Sequence, residues 1–124
     1  MSIVSKIIGT GLLFLLTIVT GIWLSNSGKP LNTLIFNIHK FAALAAVIFA
    51  AIVIRNLLKN VEIKTVILTL IIVTVLFVLT LFISGALLSL GKPANDIILT
   101  IHSVTTIPTV ITTAMIIFLL VSRK

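Results

Sequence analysis

Four long apolar stretches dominate this chain and confine it to a membrane. They cover residues 7–24, 34–58, 66–90 and 97–121. Each supplies most or all of the roughly 20 apolar residues that a helix needs to cross a bilayer. Threonine and β-branched residues are abundant in these stretches, but lipid offers backbone groups no hydrogen-bond partner, so runs of this length must be helical. We predict an all-α membrane protein with four transmembrane helices.

The composition excludes several other classes of protein. Hydrophobic residues make up 60% of the 124 residues, charged residues make up 9%, and cysteine is absent. This excludes a disulfide-stapled domain, a thiolate metal site and a cysteine nucleophile, and it argues against a soluble enzyme. The net charge of +7 is explained by lipid headgroups and membrane topology. Nucleic acid is therefore not an expected partner.

The distribution of basic residues predicts the orientation. The connections at residues 25–30, 59–64 and 91–95 are short, so consecutive helices must be antiparallel neighbours. Three cations then lie on one side of the membrane, namely Lys29, Lys40 and Lys92, and six lie on the other, namely Lys6, Arg55, Lys59, Lys64, Arg123 and Lys124. Cytoplasmic loops carry the excess of Lys and Arg. We therefore expect a multi-pass protein of the cell membrane with both termini in the cytoplasm.

The chain contains an internal repeat. The sequence of residues 28–32, Gly-Lys-Pro-Leu-Asn, recurs at residues 91–95 as Gly-Lys-Pro-Ala-Asn, and a histidine follows each glycine after eleven residues. Upstream, Gly21 corresponds to Gly85 with a shift of one residue. We interpret this as a duplicated helical hairpin, with halves at about 1–60 and 61–124 within one four-helix domain. Such a parallel repeat predicts a bundle with a pseudo-two-fold axis along the membrane normal.

The only two histidines of the chain, His39 and His102, occupy equivalent places in the repeat. Each lies nine residues beyond its proline, which is roughly 13 Å along a helix. Ionisable groups inside a span usually face the interior, so we expect the two imidazoles to face each other across the axis. Small or hydroxyl-bearing residues continue each stripe, namely Ala42, Ala43, Ala46 and Ala50 on one helix and Thr105, Thr106, Thr109 and Thr113 on the other.

Haem is the cofactor that these residues fit best. Its iron takes two axial ligands, and neutral imidazole is a common one. Gly21 and Gly85 would let the porphyrin approach the helix backbones, and polar residues near the outer surface could bind the propionates, namely Lys29, Lys92, Asn32 and Asn95, with Lys40 as a further candidate. Zinc requires more protein ligands, and copper sites usually recruit Cys or Met. Helix packing through the histidines and binding of a quinone or a proton remain open as alternatives.

Histidines on helices two and four, with glycines on helices one and three, resemble the four-helix haem core of respiratory b-type membrane cytochromes. The resemblance implies that His39 and His102 are axial metal ligands and that Gly21 and Gly85 pack against haem. Those larger cores carry two histidines on each ligand helix and bind two haems. One histidine per helix therefore implies a single bis-histidine haem b, placed near the outer face.

We therefore expect a small integral-membrane b-type cytochrome that transfers electrons through one haem, alone or as a subunit of a larger redox complex. The chain has no nucleotide-binding motif, so an electron carrier is expected and not a stand-alone enzyme. Expected partners are membrane lipids, a redox partner protein or quinone, and further copies of the chain in a homo-oligomer. The alternative is a cofactor-free structural or accessory four-helix membrane protein.

Overall fold

The fold of this chain is entirely helical in the parts that the structure describes. The structure is a computed structural model, and it describes residues 2–27, 33–59, 61–90 and 96–122. These ranges hold four α-helices, α1 (Ile3–Ser27), α2 (Thr33–Leu58), α3 (Thr65–Ser89) and α4 (Asp96–Ser122). All four are long and apolar enough to cross a membrane. The predicted all-α membrane architecture with four transmembrane helices is confirmed.

Helix α1 is longer than its apolar stretch at both ends. At its start, the Ser5 amide donates to Ser2 Oγ at 3.1 Å and the Lys6 amide donates to the Ser2 carbonyl at 3.1 Å. At its end, Ser27 Oγ donates to the Trp23 carbonyl at 2.7 Å. Serine hydroxyls bind the backbone groups that a helix end leaves unpaired. The apolar stretch therefore marks the part that crosses the hydrocarbon, whereas the helix continues beyond it.

The chain divides into two compact units, Met1–Lys59 and Asn60–Lys124. The first unit, hairpin 1, is formed by α1 and α2, and the second, hairpin 2, by α3 and α4. In hairpin 1 the end of α1 contacts the start of α2, and the start of α1 contacts the second half of α2. Hairpin 2 shows the same order of contacts. Each unit is therefore an antiparallel pair of helices.

Both hairpins bury one stripe of their second helix. The buried stripe of α2 includes Ala46, Ala50, Val53 and Leu57, and that of α4 includes Thr109, Thr113, Ile116 and Leu120. A shift of sixty-three residues maps the first stripe onto the second, position by position. The spacing of three and four residues keeps each stripe on one helix face. Alanine and threonine are small, so they let the backbones of the two helices approach closely.

Buried hydroxyls are satisfied by the backbone. Thr10 Oγ1 donates to the Lys6 carbonyl at 2.8 Å, and Thr109 Oγ1 donates to the Thr105 carbonyl at 2.7 Å. Within the described ranges, every buried side-chain nitrogen or oxygen has a hydrogen-bond partner. An unpaired polar group would be costly in lipid. These internal bonds are what allow hydroxyl-rich helices to lie in a membrane.

Large apolar side chains are exposed on all four helices. The exposed fraction is 61% for Leu12, 61% for Phe41, 62% for Ile83 and 70% for Phe118. Exposed apolar surface of this extent is typical of contact with membrane lipid. The outer surface thus supports the same conclusion as the helix lengths.

The interface between α1 and α2, called here the seam of hairpin 1, leaves little space for a larger side chain at Ala46, whose exposed fraction is 1%. We expect Ala46→Leu to force α1 and α2 apart and to lower the free energy of unfolding by about 1–3 kcal/mol, the usual cost of overpacking. Ala46→Thr should be tolerated, because Thr109 fills the equivalent place in hairpin 2. Unfolding in mixed detergent micelles, followed by circular dichroism, measures both.

Ala51→Leu is the matched control, because Ala51 lies on the exposed face of the same helix. Its added side chain should contact lipid or detergent and leave the stability unchanged. Equal losses for Ala46→Leu and Ala51→Leu would contradict the assignment of the seam.

Candidate cofactor site

His39 lies on α2, half-buried, and binds polar groups of α1. Its Nδ1 atom is 2.8 Å from the carbonyl oxygen of Thr17 and 3.1 Å from Oγ1 of Thr20. Thr20 is buried, and its hydroxyl donates to the carbonyl of Leu16 at 2.8 Å. The imidazole is therefore tied to both the backbone and a side chain of the neighbouring helix.

His102 makes the matching contact in hairpin 2. It is half-buried on α4, and its Nδ1 atom lies 2.8 Å from Oγ of Ser84 on α3. Ser84 is buried and donates to the carbonyl of Leu81 at 3.1 Å. Ser84 follows Thr20 by sixty-four residues, the same shift that relates Gly85 to Gly21. A hydroxyl and a glycine thus stand side by side opposite each histidine.

The hydrogen bonds fix the proton of the His39 ring. A carbonyl oxygen only accepts hydrogen bonds, so the 2.8 Å contact with Thr17 requires a proton on Nδ1 of His39. In neutral imidazole the lone pair then lies on Nε2, the usual arrangement of a metal-ligating histidine. In hairpin 2, Oγ of Ser84 lies 2.8 Å from Nδ1 of His102 and 3.1 Å from the Leu81 carbonyl. The same ring nitrogen therefore makes the interhelical contact in both hairpins.

The two glycines make room for the imidazoles. A Cβ atom at Gly21 would lie 2.9 Å from Cε1 of His39, and one at Gly85 would lie 3.2 Å from Cε1 of His102. Both distances are shorter than ordinary van der Waals contact. The sequence predicted these glycines as neighbours of a porphyrin, and the structure places each against the histidine of its own hairpin. That contact explains both glycines even before a cofactor is considered.

Other predicted site residues are distributed differently. Lys29, Asn32, Lys92 and Asn95, the predicted propionate partners, lie outside the described residues. Lys40 is exposed on α2. That His39 and His102 face each other stays a prediction.

The hydroxyls that hold the histidines, those of Thr20 and Ser84, were not among the site residues predicted from the sequence. Each directly precedes a glycine that the repeat had already aligned, so extending the match by one residue would have found them. The Thr17 carbonyl had no such signal, because a backbone acceptor leaves no trace in residue type. Only the packing of α1 against α2 shows which carbonyl the ring contacts.

A second contact layer differs between the hairpins. In hairpin 1, the Phe49 ring lies 3.4 Å from the Cβ position of Gly9. In hairpin 2 the counterparts of Gly9 and Phe49 are Val73 and Thr112, and Oγ1 of Thr112 lies 2.8 Å from Oγ1 of Thr74, the counterpart of Thr10. A ring on a glycine thus corresponds to a hydroxyl that bonds a neighbouring threonine. The histidine layer is alike in both halves, whereas this one is not.

The metals that the site could bind follow from its ligands. The described residues hold no group of three or more His, Cys, Asp or Glu side chains that could bind a metal ion. Zinc sites usually require at least three protein ligands. Haem iron already has four porphyrin nitrogens and needs only two axial ligands, which is the number of histidines in the chain. One histidine in each hairpin is too few for a zinc site, whereas the two histidines of the chain equal the number of axial ligands of haem iron.

The close contact at Gly21 predicts a strong effect of Gly21→Ala. The new Cβ would displace the His39 ring and break its bonds to Thr17 and Thr20, so we expect the free energy of unfolding to fall by about 1–3 kcal/mol. Gly85→Ala should cost less, because its contact is longer. Micelle unfolding measures the stability, and ¹⁵N nuclear magnetic resonance of the histidine side chains reports loss of the Nδ1 hydrogen bond.

Gly11→Ala serves as the control on the same helix, because a Cβ at Gly11 would meet nothing within 4 Å. It should leave the stability unchanged or raise it, since alanine is the better helix former. If Gly11→Ala and Gly21→Ala had the same effect, the histidine contact would not be the reason for Gly21.

Comparison with known proteins found no relative of this chain. No protein-family model, no curated protein and no solved structure matches this chain. What the two histidine sites can do therefore follows from their own residues and geometry.

Proposed function

We propose that this protein is a small integral-membrane b-type cytochrome that binds one haem b through His39 and His102. It transfers electrons, either alone or as a haem subunit of a larger redox complex. When bound, haem supplies reversible one-electron chemistry at its iron. A redox partner protein or a quinone exchanges the electron, and the chain acts as a carrier and not as a stand-alone enzyme.

The observation that carries the proposal is the hydrogen bond between Nδ1 of His39 and the Thr17 carbonyl, 2.8 Å long. It keeps the proton on Nδ1 and the lone pair on Nε2, and it orients the ring. Metal-binding histidines almost always donate their other N–H to a carbonyl, carboxylate or water, which also raises the basicity of the ligand. In hairpin 2, Oγ of Ser84 lies 2.8 Å from Nδ1 of His102 and so orients that ring as well.

The comparison of the two hairpins gives independent support. Residues that serve helix packing alone can differ between the two halves. Hairpin 2 has Val73 and Thr112 where hairpin 1 has Gly9 and Phe49. The histidine layer keeps its imidazole, hydroxyl and glycine in both halves. A bis-histidine haem would require this equality, because the iron needs an imidazole from each half.

The remaining residues of the proposed site have supporting roles. Gly21 and Gly85 leave the space in which the imidazoles lie, and they are proposed to support the haem through these rings. Lys29, Lys92, Asn32 and Asn95 are proposed to bind the propionates, since ammonium and amide groups donate to carboxylates.

A cofactor-free membrane protein is the second candidate, and one observation favours it. Each histidine contacts a hydroxyl and a glycine of its own hairpin. An interhelical hydrogen bond of this kind stabilises a membrane helix pair by about 0.6 kcal/mol on average. The histidines would then join helices and bind nothing further.

An absorption spectrum separates the two candidates. We expect protein produced with sufficient haem to be red, with a low-spin spectrum and one haem per chain. His39→Ala and His102→Ala should each abolish this spectrum or convert it to high spin, because one axial ligand is lost. Added imidazole should restore the low-spin spectrum in both variants.

Asn37→Ala is the control, because Asn37 lies on α2 two residues before His39 and is not a proposed ligand. It should keep the spectrum of the parent protein. A colourless, folded protein under haem-replete conditions would overturn the cytochrome and leave the cofactor-free candidate.

The orientation in the cell membrane is proposed from the excess of Lys and Arg at the end that carries both termini. The chain lacks cysteine, so single-cysteine labelling has no background. Ser27→Cys should react with a membrane-impermeant maleimide in intact cells, and Glu62→Cys should react only after lysis. Both positions are exposed, and the reverse pattern of labelling would place the termini outside.

A further inference from the structure

Lys40 is a cation on the apolar outer face of α2. It lies seven residues after Thr33, the first residue of the helix, which is roughly 10 Å along the axis. Lys40 is exposed, and the exposed fraction of its neighbour Phe41 is 61%. An ammonium group at a lipid-facing position requires an anion or water, because hydrocarbon provides neither.

Two phenylalanine rings hold the lysine side chain. Nζ of Lys40 lies 5.7 Å from the centroid of the Phe36 ring and 5.2 Å from that of Phe41. Phe36 precedes Lys40 by one helical turn and Phe41 follows it directly, and side chains of an α-helix tilt towards its N-terminus, which for Lys40 is the nearer membrane surface. This is the direction in which a lysine inside a membrane reaches the headgroups. The rings also stabilise the cation.

The cluster of Phe36, Lys40 and Phe41 occurs in hairpin 1 alone. The equivalent residues of hairpin 2 are Leu99, Ser103 and Val104. All three have therefore changed together, as expected if the rings serve the lysine. The histidines next to the cluster are alike in both halves, so the cluster is not needed for the histidine contacts.

The anion for Lys40 must come largely from outside the chain. Hairpin 1 contains no Asp or Glu side chain. The two acids of the chain, Glu62 and Asp96, belong to the second unit, and Glu62 follows the opposite end of α2. We infer that Lys40, positioned by Phe36 and Phe41, binds the phosphate of an anionic phospholipid at the membrane surface. This inference is independent of haem binding.

Quenching of tryptophan fluorescence by brominated lipid tests it directly. The chain has one tryptophan, so the double variant Trp23→Phe, Phe41→Trp places the single reporter beside Lys40 and keeps an aromatic ring there. The full-length reporter protein is reconstituted into vesicles that mix phosphatidylglycerol with phosphatidylcholine. One lipid or the other carries the bromine, and the quenching gives their relative association constants.

We expect phosphatidylglycerol to be preferred about fivefold, the effect of one cation near an anionic membrane surface. Lys40→Gln in the reporter protein should abolish the preference, and Lys40→Arg should keep it. Lys59→Gln is the matched control, because Lys59 is an exposed lysine at the opposite end of the same helix. It should leave the preference unchanged.

Two results would overturn the inference. Equal quenching by both lipids in the reporter protein would mean that Lys40 selects no anionic headgroup. A preference that survives Lys40→Gln would assign the selectivity to other residues. Circular dichroism of each variant confirms that the helices are retained.

Discussion

Hydrocarbon provides no hydrogen-bond partners, and every polar group within the four helices has to find one in the protein. The threonines and serines of the buried seams do so by donating to a carbonyl one turn earlier in their own helix. Such a hydroxyl costs little free energy to place in lipid, because its only proton is already hydrogen-bonded to a carbonyl. This explains how a chain with so many hydroxyls can expose leucine, isoleucine and phenylalanine around four membrane-crossing helices.

The imidazoles are too large to bond a carbonyl of their own helix in this way, so they bond polar groups of the neighbouring helix. Each ring lies over a glycine, which brings Nδ1 within reach of a hydroxyl, and in hairpin 1 also of a backbone carbonyl. Glycine is required here because a Cβ would occupy the position of the ring. In hairpin 1 the Thr17 carbonyl accepts from Nδ1 of His39, which places the lone pair of that neutral ring on Nε2. The helix contact therefore uses Nδ1, whereas the proposed metal bond would use Nε2.

The two hairpins act as an internal comparison. Their buried stripes coincide in position, although threonine in hairpin 2 stands where hairpin 1 has alanine, and Val73 and Thr112 stand where hairpin 1 has Gly9 and Phe49. The histidine layer is alike in both, which favours a function that needs two equivalent imidazoles. The cluster around Lys40 is confined to hairpin 1, so the halves also differ where they meet the membrane surface.

The four transmembrane helices were determined by the sequence alone, because an apolar run of this length has one stable conformation in lipid. The matching positions of His39 and His102 could also be predicted, because both histidines lie at the same distance from the Gly-Lys-Pro motif in the sequence. The ends of α1 could not be predicted, because a serine that continues a helix cannot be told by residue type from a serine of a loop. Tertiary structure decided what the glycines contact, which hydroxyls hold the rings and that the Thr17 carbonyl sets the proton of His39. These depend on the rotation and separation of two packed helices, which arise from many weak contacts and leave no motif in the chain.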